Sequence, residues 1–429
     1  MRVALLTNIL TPYRLPVYRD LAATPGWRLR VMLCAADDPS WRHAYEGAHE
    51  EGRAALDVEI VAGVSFRRRV RAHRDHESQQ WATLHVPWGV FGALHRFAPD
   101  VVVTGELGAR SAFAAAWAAL HRVPLVIWSY HARSAAAAVG PLRRAWRRAL
   151  LARADAVVGM GVQARDVLRS LGVAEAVLFD APNAHDAEGW EARLAGLDVA
   201  AERLALRVSL ATRELQVSRS PQGREAAAQR GEAERSVGPR KDGKASEGQQ
   251  IALVAGRLEE SKGVLPLLEA WRALSEAERA SWTLLFVGEG PLAGAIDEAR
   301  RACGPGAIAR MPALRPDALA AAYAASDLLV FASLGDPWGL VVNEAMACGL
   351  PVLCSRLAGC ADDLIAPGET GWLCDPTDPA QFRAALARAL ADPARDRIAA
   401  RARDTAKRFG PATLAGGLRR AILRAAARR

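Results

Sequence analysis

The amino-acid sequence predicts an α/β protein with two doubly wound domains, each built on a parallel sheet. Three observations support this prediction. Short apolar runs alternate with helical segments up to about residue 186, the pattern is lost between residues 187 and 250, and a second alternating series begins at Ile251. Strands that alternate with helices form parallel sheets covered on both faces. The length of 429 residues also agrees with two domains of roughly 150 residues or more.

The first series predicts a domain over residues 1–186. Its apolar runs are the type expected of buried strands, since they are short, rich in Val and Leu, and bounded by polar or glycine-containing turns. A polar loop and a predicted helix around residues 15–23 follow the first run. The runs are residues 3–7, 29–34, 58–61, 101–104, 125–128 and 156–159.

The middle and the end of the chain complete the predicted organisation. Residues 187–250 are predicted to be a linker or insertion, with disorder mainly from about residue 218, where polar and glycine-rich sequence predominates. A second domain is predicted over residues 251–405, with strands at 251–255, 282–287, 328–332, 351–354 and 372–374. Residues 406–429 are predicted to form a basic C-terminal helix. Breaks in the closing helical segment are expected at Pro393 and at Gly410 and Pro411.

Composition excludes several classes of protein. The longest weakly polar stretch, residues 111–130, is interrupted by His121, Arg122 and Pro124, whereas a membrane helix needs roughly 20 apolar residues. The N-terminal apolar run is too short for a secretory signal, so a cytoplasmic location is expected. The six cysteines show no metal-binding spacing and are expected to be free buried thiols. No metal site is expected. The net charge of +9 permits an acidic partner without identifying one.

The first motif, residues 256–263, follows the first strand of the second domain and precedes a predicted helix. It contains Arg257 and Lys262, five positions apart. Two cations beside a helix N-terminus can bind a diphosphate together with free backbone N–H groups. An ordinary solvated basic loop explains this motif equally well. It is not a Walker loop, because the required glycine spacing is missing.

The second motif, residues 335–344, places two carboxylates eight positions apart, Asp336 and Glu344. Gly339 is predicted to open a helix whose N–H groups can hold phosphate. Glu344, more than a turn further on, can accept hydrogen bonds from the vicinal hydroxyls of a ribose. A weaker third signal is the glycine turn at Gly288, which would let the backbone approach a ligand. The alternative interpretation is a helix-initial Asp, a surface Glu and a plain turn.

In this order and spacing, the three motifs resemble the retaining glycosyltransferases of family 4. Members of that family have the GT-B fold, in which two Rossmann-like domains face a central cleft. Residues 336–344 are similar to the family's motif of two carboxylates separated by seven residues, and residues 343–351 match its continuation. The resemblance covers residues 251 to about 375 well and residues 1–186 more loosely.

The resemblance implies roles for individual residues of the three motifs. It makes Arg257 and Lys262 ligands of the donor diphosphate, and Gly288 part of the donor-binding turn. It makes Gly339 and Leu340 backbone donors to phosphate and Glu344 the carboxylate that holds the ribose. Asp336 would contact the hydroxyls of the transferred sugar, and it replaces the Glu that is usual in the family.

Candidates in the first domain follow predicted strands. His131 comes after the strand at 125–128, and the resemblance implies a catalytic histidine near the reacting sugar; a structural or surface histidine is the alternative. Asn8 and Thr11, after the first strand, and Glu106, after the strand at 101–104, are candidates for contacts to the acceptor. These three residues would line the cleft opposite the donor.

Residues 67–71 form the densest charge run of the chain, with four arginines in five positions. A solvated surface is the commonest meaning of such a run. The alternative is contact with an anionic membrane or a lipid-linked acceptor. No nucleic-acid recognition motif accompanies the run, so nucleic acid is not an expected partner.

The predicted activity is transfer of a hexosyl unit from a nucleoside diphosphate sugar, UDP- or GDP-linked, to an acceptor hydroxyl with retained anomeric configuration. The acceptor is expected to be a glycan, a lipid-linked sugar or a small molecule. No cofactor is expected beyond the donor substrate. Two alternatives remain at this point: a GT-B epimerase acting on the nucleotide sugar, and a non-catalytic scaffold that binds sugar nucleotides.

Overall fold

The computed structural model describes residues 1–34, 52, 54–73, 76–134, 139–212, 249–304 and 306–428. The first domain contains a parallel sheet of seven strands in the order β3-β2-β1-β6-β7-β8-β9. The fourth and fifth strands form a separate antiparallel hairpin. In chain order the strands are β1 (Arg2–Thr7), β2 (Arg28–Leu33), β3 (Asp57–Ile60), β4 (Val64–His73), β5 (His76–Val86), β6 (Val101–Gly105), β7 (Leu125–Ser129), β8 (Ala156–Gly159) and β9 (Leu178–Asp180).

Helices cover both faces of this sheet. Alternate residues of β1 point to opposite sides: Val3 and Leu5 pack with one group of helices, and Ala4 and Leu6 with another. This is the pattern of a doubly wound sheet, in which strands are buried on both faces. The first-domain helices up to residue 170 are α1 (Leu15–Ala22), α2 (Val90–Phe97), α3 (Ala109–His121), α4 (Pro141–Leu151) and α5 (Gly161–Ser170).

Two helices, α6 (Ala187–Ala195) and α7 (Val199–Thr212), follow in the segment predicted as a linker. Both pack on the second domain, against the helix over residues 316–325. Residues 213–248, where disorder was predicted, lie outside the described residues. Residues 187–212 of the predicted linker therefore form two helices attached to the second domain, and its last residue, Gln250, begins the first strand of that domain.

The second domain contains a parallel sheet of six strands in the order β12-β11-β10-β13-β14-β15. Its strands are β10 (Gln250–Ala255), β11 (Trp282–Val287), β12 (Ile308–Met311), β13 (Leu328–Phe331), β14 (Val352–Ser355) and β15 (Trp372–Cys374). Its helices are α8 (Val264–Arg272), α9 (Glu276–Arg279), α10 (Ala293–Cys303), α11 (Pro316–Ala325), α12 (Leu340–Ala347), α13 (Ala361–Leu364), α14 (Pro379–Ala391) and α15 (Arg395–Ala406). The predicted fold class, two Rossmann-like α/β domains, is confirmed.

The last helix, α16 (Pro411–Ala426), returns to the first domain. Leu414, Leu418 and Ile422 are fully buried there, packed with β1 and α1. The predicted basic C-terminal helix thus has one apolar face that completes the core of the first domain. The chain passes from one domain to the other twice, near His185 and near Phe409. These two segments lie side by side, because the N–H of His185 donates to the carbonyl of Phe409 at 3.2 Å.

Direct contacts also join the two domains. The N–H of Val162, at the start of α5, donates to Asp363 Oδ2 at 2.9 Å. The Gln163 side-chain amide donates to the carbonyl of Ala358 at 2.9 Å. A carboxylate at a helix N-terminus is electrostatically favourable, so these contacts hold the first domain against α13 and the loop that precedes it.

The six cysteines, all among the described residues, are free, and five of them are buried, as predicted. None of the described helices has the length and apolar character required to cross a membrane.

Candidate functional site

The candidate donor site lies where strand order reverses in the second sheet. Strands β10 and β13 are neighbours there, although 72 residues lie between the end of β10 and the start of β13. Ligands of doubly wound folds bind at the carboxyl ends of such strands. The loops that follow β10 and β13 are joined by a hydrogen bond from the N–H of Leu334 to the carbonyl of Ser261, 2.9 Å long. The two sequence motifs are therefore adjacent.

Gly263 permits this close approach. Its φ is +69°, and a Cβ atom at this position would lie 1.9 Å from the carbonyl oxygen of Ala332, the residue that follows β13. That distance is far below van der Waals contact, and the left-handed backbone is itself unfavourable for other residues. Glycine at 263 therefore fixes how closely the residue before it, Lys262, can lie to the second loop.

Lys262 and Asp336 are in direct contact. The Lys262 Nζ lies 2.6 Å from Asp336 Oδ2, and the side chains are 31% and 16% exposed. The other carboxylate oxygen, Oδ1, accepts a hydrogen bond from the N–H of Trp338 at 3.1 Å, which fixes the carboxylate. Arg257, the second predicted cation, lies elsewhere: it is 73% exposed and pairs with Glu259. The structure thus brings two of these three predicted residues together.

Helix α12 begins beside this ion pair. Gly339 is its N-cap residue, with φ +101°, and Leu340 is its first residue. Within the described residues, the N–H groups of Gly339 and Leu340 have no hydrogen-bond acceptor. Unpaired N–H groups at a helix N-terminus attract anions. Gly288, in contrast, uses its N–H internally, donating to the carbonyl of Met311 at 3.0 Å.

Glu344 lies one turn into α12 and is held by a residue that the sequence analysis missed. The Tyr323 hydroxyl, on α11, donates to Glu344 Oε2 at 3.0 Å. Trp190 of α6 packs on the Tyr323 ring, 5.5 Å between centroids. Burial raises the pKa of Glu344 to about 7, and the Tyr323 hydrogen bond and the charge of Arg193 oppose that increase. Tyr323 is a single tyrosine in an alanine-rich helix, so no sequence pattern marks it.

We expect Glu344→Gln to stabilise the protein more at pH 8 than at pH 5. A carboxyl whose pKa is 4.5 when unfolded and about 7 when folded binds its proton more tightly in the folded state, so stability is lost as pH rises between these values. Glutamine removes that loss, which is on the order of 1–3 kcal/mol. Urea unfolding of both proteins at the two pH values measures it. An equal effect of the substitution at pH 5 and pH 8 would contradict the shifted pKa.

The first sheet has an equivalent crevice between β1 and β6. Asn8 follows β1, Glu106 follows β6, and Arg110 of α3 connects them. The Arg110 guanidinium, 6% exposed, donates to Asn8 Oδ1 and to the carbonyl of Gly105, and lies 3.7 Å from the Glu106 carboxylate. Thr11 is also buried, and its Oγ1 has no partner within the described residues. The three predicted acceptor-side residues therefore lie at this crevice.

Arg14 is a further functional candidate, in the segment after β1 that the sequence placed at the cleft without singling out this residue. Its guanidinium stacks over the rings of Trp128 and Tyr130, 4.7 Å and 5.5 Å from their centroids. No carboxylate pairs with Arg14 in the described part of the chain. The hydroxyl of Tyr130 in turn donates to Glu106. Arg14 and Arg110 thus add positive charge to the crevice, offset in part by Glu106.

His131 lies on the loop after β7 and stacks with the neighbouring Tyr130 ring. Its Nδ1 is 3.0 Å from the Ser129 hydroxyl. Burial lowers the pKa of His131 to about 4, and the charge of Arg147 on α4 acts in the same direction. The imidazole is therefore neutral at pH 7. Two positions further on, Arg133 forms an ion pair with Asp362 of the second domain, 2.6 Å apart.

The contacts of the His131 loop bring the two domains' candidate residues to one cleft. Next to Arg133, the Ser134 hydroxyl donates to the carbonyl of Leu357 at 3.3 Å, and it lies beside Gly335. Gly335 immediately precedes Asp336. The cleft therefore has a histidine and a carboxylate on one side, and a lysine, a second carboxylate and a helix N-terminus on the other. The described residues include no group of three or more His, Cys, Asp or Glu side chains placed to hold a metal ion.

Models of glycosyltransferase families match both the first and the second domain of the chain. Residues 239–407 match the family described as Glycosyl transferases group 1, and residues 11–184 match the Glycosyl transferase 4-like domain. D-inositol 3-phosphate glycosyltransferase from Segniliparus rotundus is 34% identical over 159 residues, which are 36% of this chain and 35% of that protein. O-antigen chain mannosyltransferase B from Escherichia coli is 30% identical over 166 residues, 38% and 42% of the two chains. The matched region thus spans less than half of these relatives.

Solved structures match over the whole chain. HepE from Anabaena, in complex with UDP, has a TM-score of 0.65 at 17% identity, covering 98% of this chain and 99% of that one. The lipopolysaccharide outer core galactosyltransferase WaaB has a TM-score of 0.60 at 13% identity, with 99% of each chain covered. These likenesses show the GT-B fold. Because the two family models match residues 11–184 and 239–407, the chain belongs to the group 1, family 4-like glycosyltransferases.

Proposed function

We propose that this protein transfers a hexosyl group from a nucleoside diphosphate sugar to an acceptor hydroxyl, with retention of anomeric configuration. One observation carries the proposal. The Lys262–Asp336 pair, 2.6 Å apart, lies next to the free N-terminal N–H groups of α12, with Glu344 one turn further along the same helix. A cation, a helix end and a buried carboxylate in this order suit a diphosphate joined to a ribose.

The donor would bind across the carboxyl ends of β10 and β13. Its diphosphate would bind the Lys262 ammonium group and the N–H groups of Gly339 and Leu340. Arg257, which is exposed, would reach the diphosphate by changing its side-chain conformation. Glu344, held by the Tyr323 hydroxyl, would accept hydrogen bonds from the ribose hydroxyls. HepE, which has the same fold, was solved with UDP and with UDP-glucose, which supports a nucleoside diphosphate sugar as the donor.

Catalysis would come mainly from charge stabilisation. Negative charge develops on the leaving diphosphate as the glycosidic bond breaks, and fixed positive groups aimed at that position lower the barrier. On binding, the diphosphate would attract the Lys262 ammonium group away from Asp336. The Asp336 carboxylate would then accept hydrogen bonds from the hydroxyls of the sugar. Neutral His131 would hydrogen-bond the sugar from the opposite domain. No enzyme nucleophile is proposed on the sugar face opposite the diphosphate. The acceptor would therefore attack from the face that the diphosphate leaves, which retains the anomeric configuration.

The acceptor would approach from the first-domain crevice. Asn8, Thr11 and Glu106 would orient its hydroxyl, and contacts across the cleft would exclude water from the reacting centre. Glycan, lipid-linked and small-molecule acceptors all remain compatible with these groups.

The test is donor binding and transfer by wild type, Glu344→Gln and His131→Ala. We expect calorimetry with UDP- and GDP-linked sugars to show one preferred donor, with affinity lowered at least about tenfold in Glu344→Gln because a charge-assisted hydrogen bond is lost. His131→Ala should bind the donor and lose transfer. Glu369→Gln, an exposed carboxylate of the same domain, is the matched control.

Three results would contradict the proposal. Equal donor affinity in wild type and Glu344→Gln would place the ribose elsewhere. Conversion of the donor without any acceptor would indicate an epimerase. An inverted anomeric configuration in the product, measured by NMR, would exclude the same-face reaction.

A further inference from the structure

Arg14 lies in the short helical turn between β1 and α1, at the first-domain crevice. Its guanidinium group stacks on the rings of Trp128 and Tyr130, and its Nε atom is buried with no hydrogen-bond acceptor among the described residues. A guanidinium group keeps its positive charge at any ordinary pH. Removing such a charge from water is costly unless a negative group compensates it. The described residues give Arg14 no negative partner, and an anionic ligand would supply one.

Arg30 on β2 is an informative comparison, because its guanidinium group is also stacked on an aromatic ring. It lies 4.6 Å from the centroid of the Phe97 ring. Unlike Arg14, it also donates hydrogen bonds to Asp57 at 3.0 Å and to Glu59 at 3.2 Å. Aromatic contact is thus common to both arginines, and the missing carboxylate is what distinguishes Arg14.

Other buried donors at the same crevice are also unpaired. Thr11 and Arg110 are each 6% exposed, and neither the Thr11 hydroxyl nor the Arg110 Nε atom has a hydrogen-bond partner among the described residues. Thr11 belongs to the same turn as Arg14, whose N–H donates to the Thr11 carbonyl at 3.0 Å. Buried polar groups are normally hydrogen-bonded. Several unpaired donors at one crevice therefore indicate a ligand that is rich in hydrogen-bond acceptor atoms.

The crevice also has an excess of positive charge. The guanidinium groups of Arg14 and Arg110 both act on the Tyr130 hydroxyl: burial raises the pKa of Tyr130, and the two positive charges oppose that increase. The Glu106 carboxylate lies 3.7 Å from Arg110 and accepts a hydrogen bond from Tyr130. Among the described residues, this carboxylate offsets one of the two guanidinium charges, and the charge of Arg14 remains.

We propose that Arg14 binds an oxyanion group, a phosphate or a carboxylate, that the sugar acceptor carries. The N–H groups of a guanidinium match the paired oxygen atoms of either anion, and the Thr11 hydroxyl would add a further donor. This proposal rests on the proposed function, because it places the acceptor at the first-domain crevice. It narrows the acceptor from any molecule with a free hydroxyl to an acidic one.

Tyr130 connects the proposed anion site with the reacting centre. Its ring lies next to Arg14 on one side and is parallel to the His131 ring, with 6.2 Å between the centroids. An acceptor whose anionic group is held at Arg14 would therefore extend from there toward His131. The anion would position the acceptor, and its charge would take no part in the chemical step.

The sequence-based alternative placed contact with a lipid-linked acceptor at the arginine run over residues 67–71. The backbone of those residues lies in β4, and their side chains are outside the described part of the structure. Recognition of an anion at Arg14 rests on different residues, in the turn that follows β1.

The test is calorimetric binding of glucose 6-phosphate, glucuronate and glucose to the full chain. These sugars carry a phosphate, a carboxylate or neither at C6. We expect the wild type to bind both charged sugars at least about tenfold more tightly than glucose, because charge-assisted hydrogen bonds are the stronger ones. Arg14→Met, which keeps the length of the side chain and removes its charge, should lose this preference. Thr11→Val should weaken binding of the charged sugars by about three- to tenfold.

Two variants serve as controls. Arg30→Gln removes the stacked arginine that has carboxylate partners, and Lys262→Ala removes the cation of the donor site. Both should keep the preference for charged sugars. Melting temperatures show which variants fold, and Thr11→Val keeps the proposal testable if Arg14→Met does not.

Equal affinity of the wild type for the three sugars, or binding of none of them, would overturn the proposal. A preference that Arg14→Met and Thr11→Val both retain would do the same, and its loss in Lys262→Ala alone would assign the anion to the donor site. Tighter binding of glucose 6-phosphate than of glucuronate would identify phosphate as the recognised group, and the reverse order would identify carboxylate.

Transfer assays separate this proposal from the proposed function. With the preferred donor, Arg14→Met should raise KM for a charged acceptor at least about tenfold and leave the affinity for the donor unchanged. Equally efficient transfer to glucose and to the charged sugars by the wild type would overturn the acidic acceptor and leave the transferase activity standing. Binding of the charged sugars through Arg14 without any transfer would support the anion site and count only against the proposed function.

Discussion

Replacing Lys262 by alanine is expected to lower the rate of sugar transfer by about 10²–10³-fold while the chain remains folded. Among the described residues, the Lys262 ammonium group is the cation that pairs with the Asp336 carboxylate, which the N–H of Trp338 holds just before α12. Its loss would leave the leaving diphosphate without that stabilisation. Steady-state transfer assays with the preferred donor measure the effect, and Lys407→Ala, an exposed lysine of the C-terminal region, is the control.

The Lys262–Asp336 contact makes a second readout possible. Lys262→Ala leaves Asp336, which is 16% exposed, without its charged partner, so a loss of about 1–2 kcal/mol in stability is expected. Adding Asp336→Asn should recover stability but not activity. Recovery of both, or near-normal turnover in Lys262→Ala, would show that the lysine serves the fold and not the donor.

Gly263→Ala is expected to have the largest effect on stability, about 2–5 kcal/mol. The left-handed backbone costs about 1–2 kcal/mol for alanine, and overpacking adds about 1–3 kcal/mol, because the new Cβ would lie 1.9 Å from the Ala332 carbonyl. The displaced loop would also move Lys262 away from α12. Urea unfolding and donor calorimetry measure the two consequences.

Gly172 is the matched control for this substitution. Its φ is +90°, and no atom lies within 4 Å of a Cβ placed there. Gly172→Ala therefore has the backbone strain without the steric clash. If the two variants lose the same stability, the close approach of the two loops is not what requires glycine at 263.

Much of the sheet structure could be predicted because its strands are continuous apolar runs. The predicted bounds 156–159, 282–287 and 372–374 are those observed for β8, β11 and β15. The β4–β5 hairpin was missed, since consecutive arginines obscure its alternation and it lacks a recognisable tight-turn sequence. Strands β9 and β12 were missed because each contains a charged residue, Asp180 and Arg310, and partly exposed positions, so neither is a continuous apolar run.

Residues of the candidate site could be predicted only where they belong to a recognisable local sequence motif. The motifs around Lys262 and Asp336 are recognisable in themselves, but their ion pair joins residues 74 positions apart and no spacing rule reveals it. Tyr323 and Arg110 act through contacts with other elements and were not found, and Arg14 was not singled out within the segment that follows β1. The position of Arg257, 73% exposed and paired with Glu259, likewise depends on side-chain geometry that the sequence does not specify.

The return of α16 to the first sheet makes that domain discontinuous along the chain. The second domain is in effect an insert between residue 186 and Pro411, and no single cut releases an intact first domain. A chain that ends before Pro411 would expose the apolar surface that Leu414, Leu418 and Ile422 cover. The second domain, in contrast, has both of its ends at the paired crossing near His185 and Phe409, so excision as one continuous segment is the natural route to an isolated donor-binding domain.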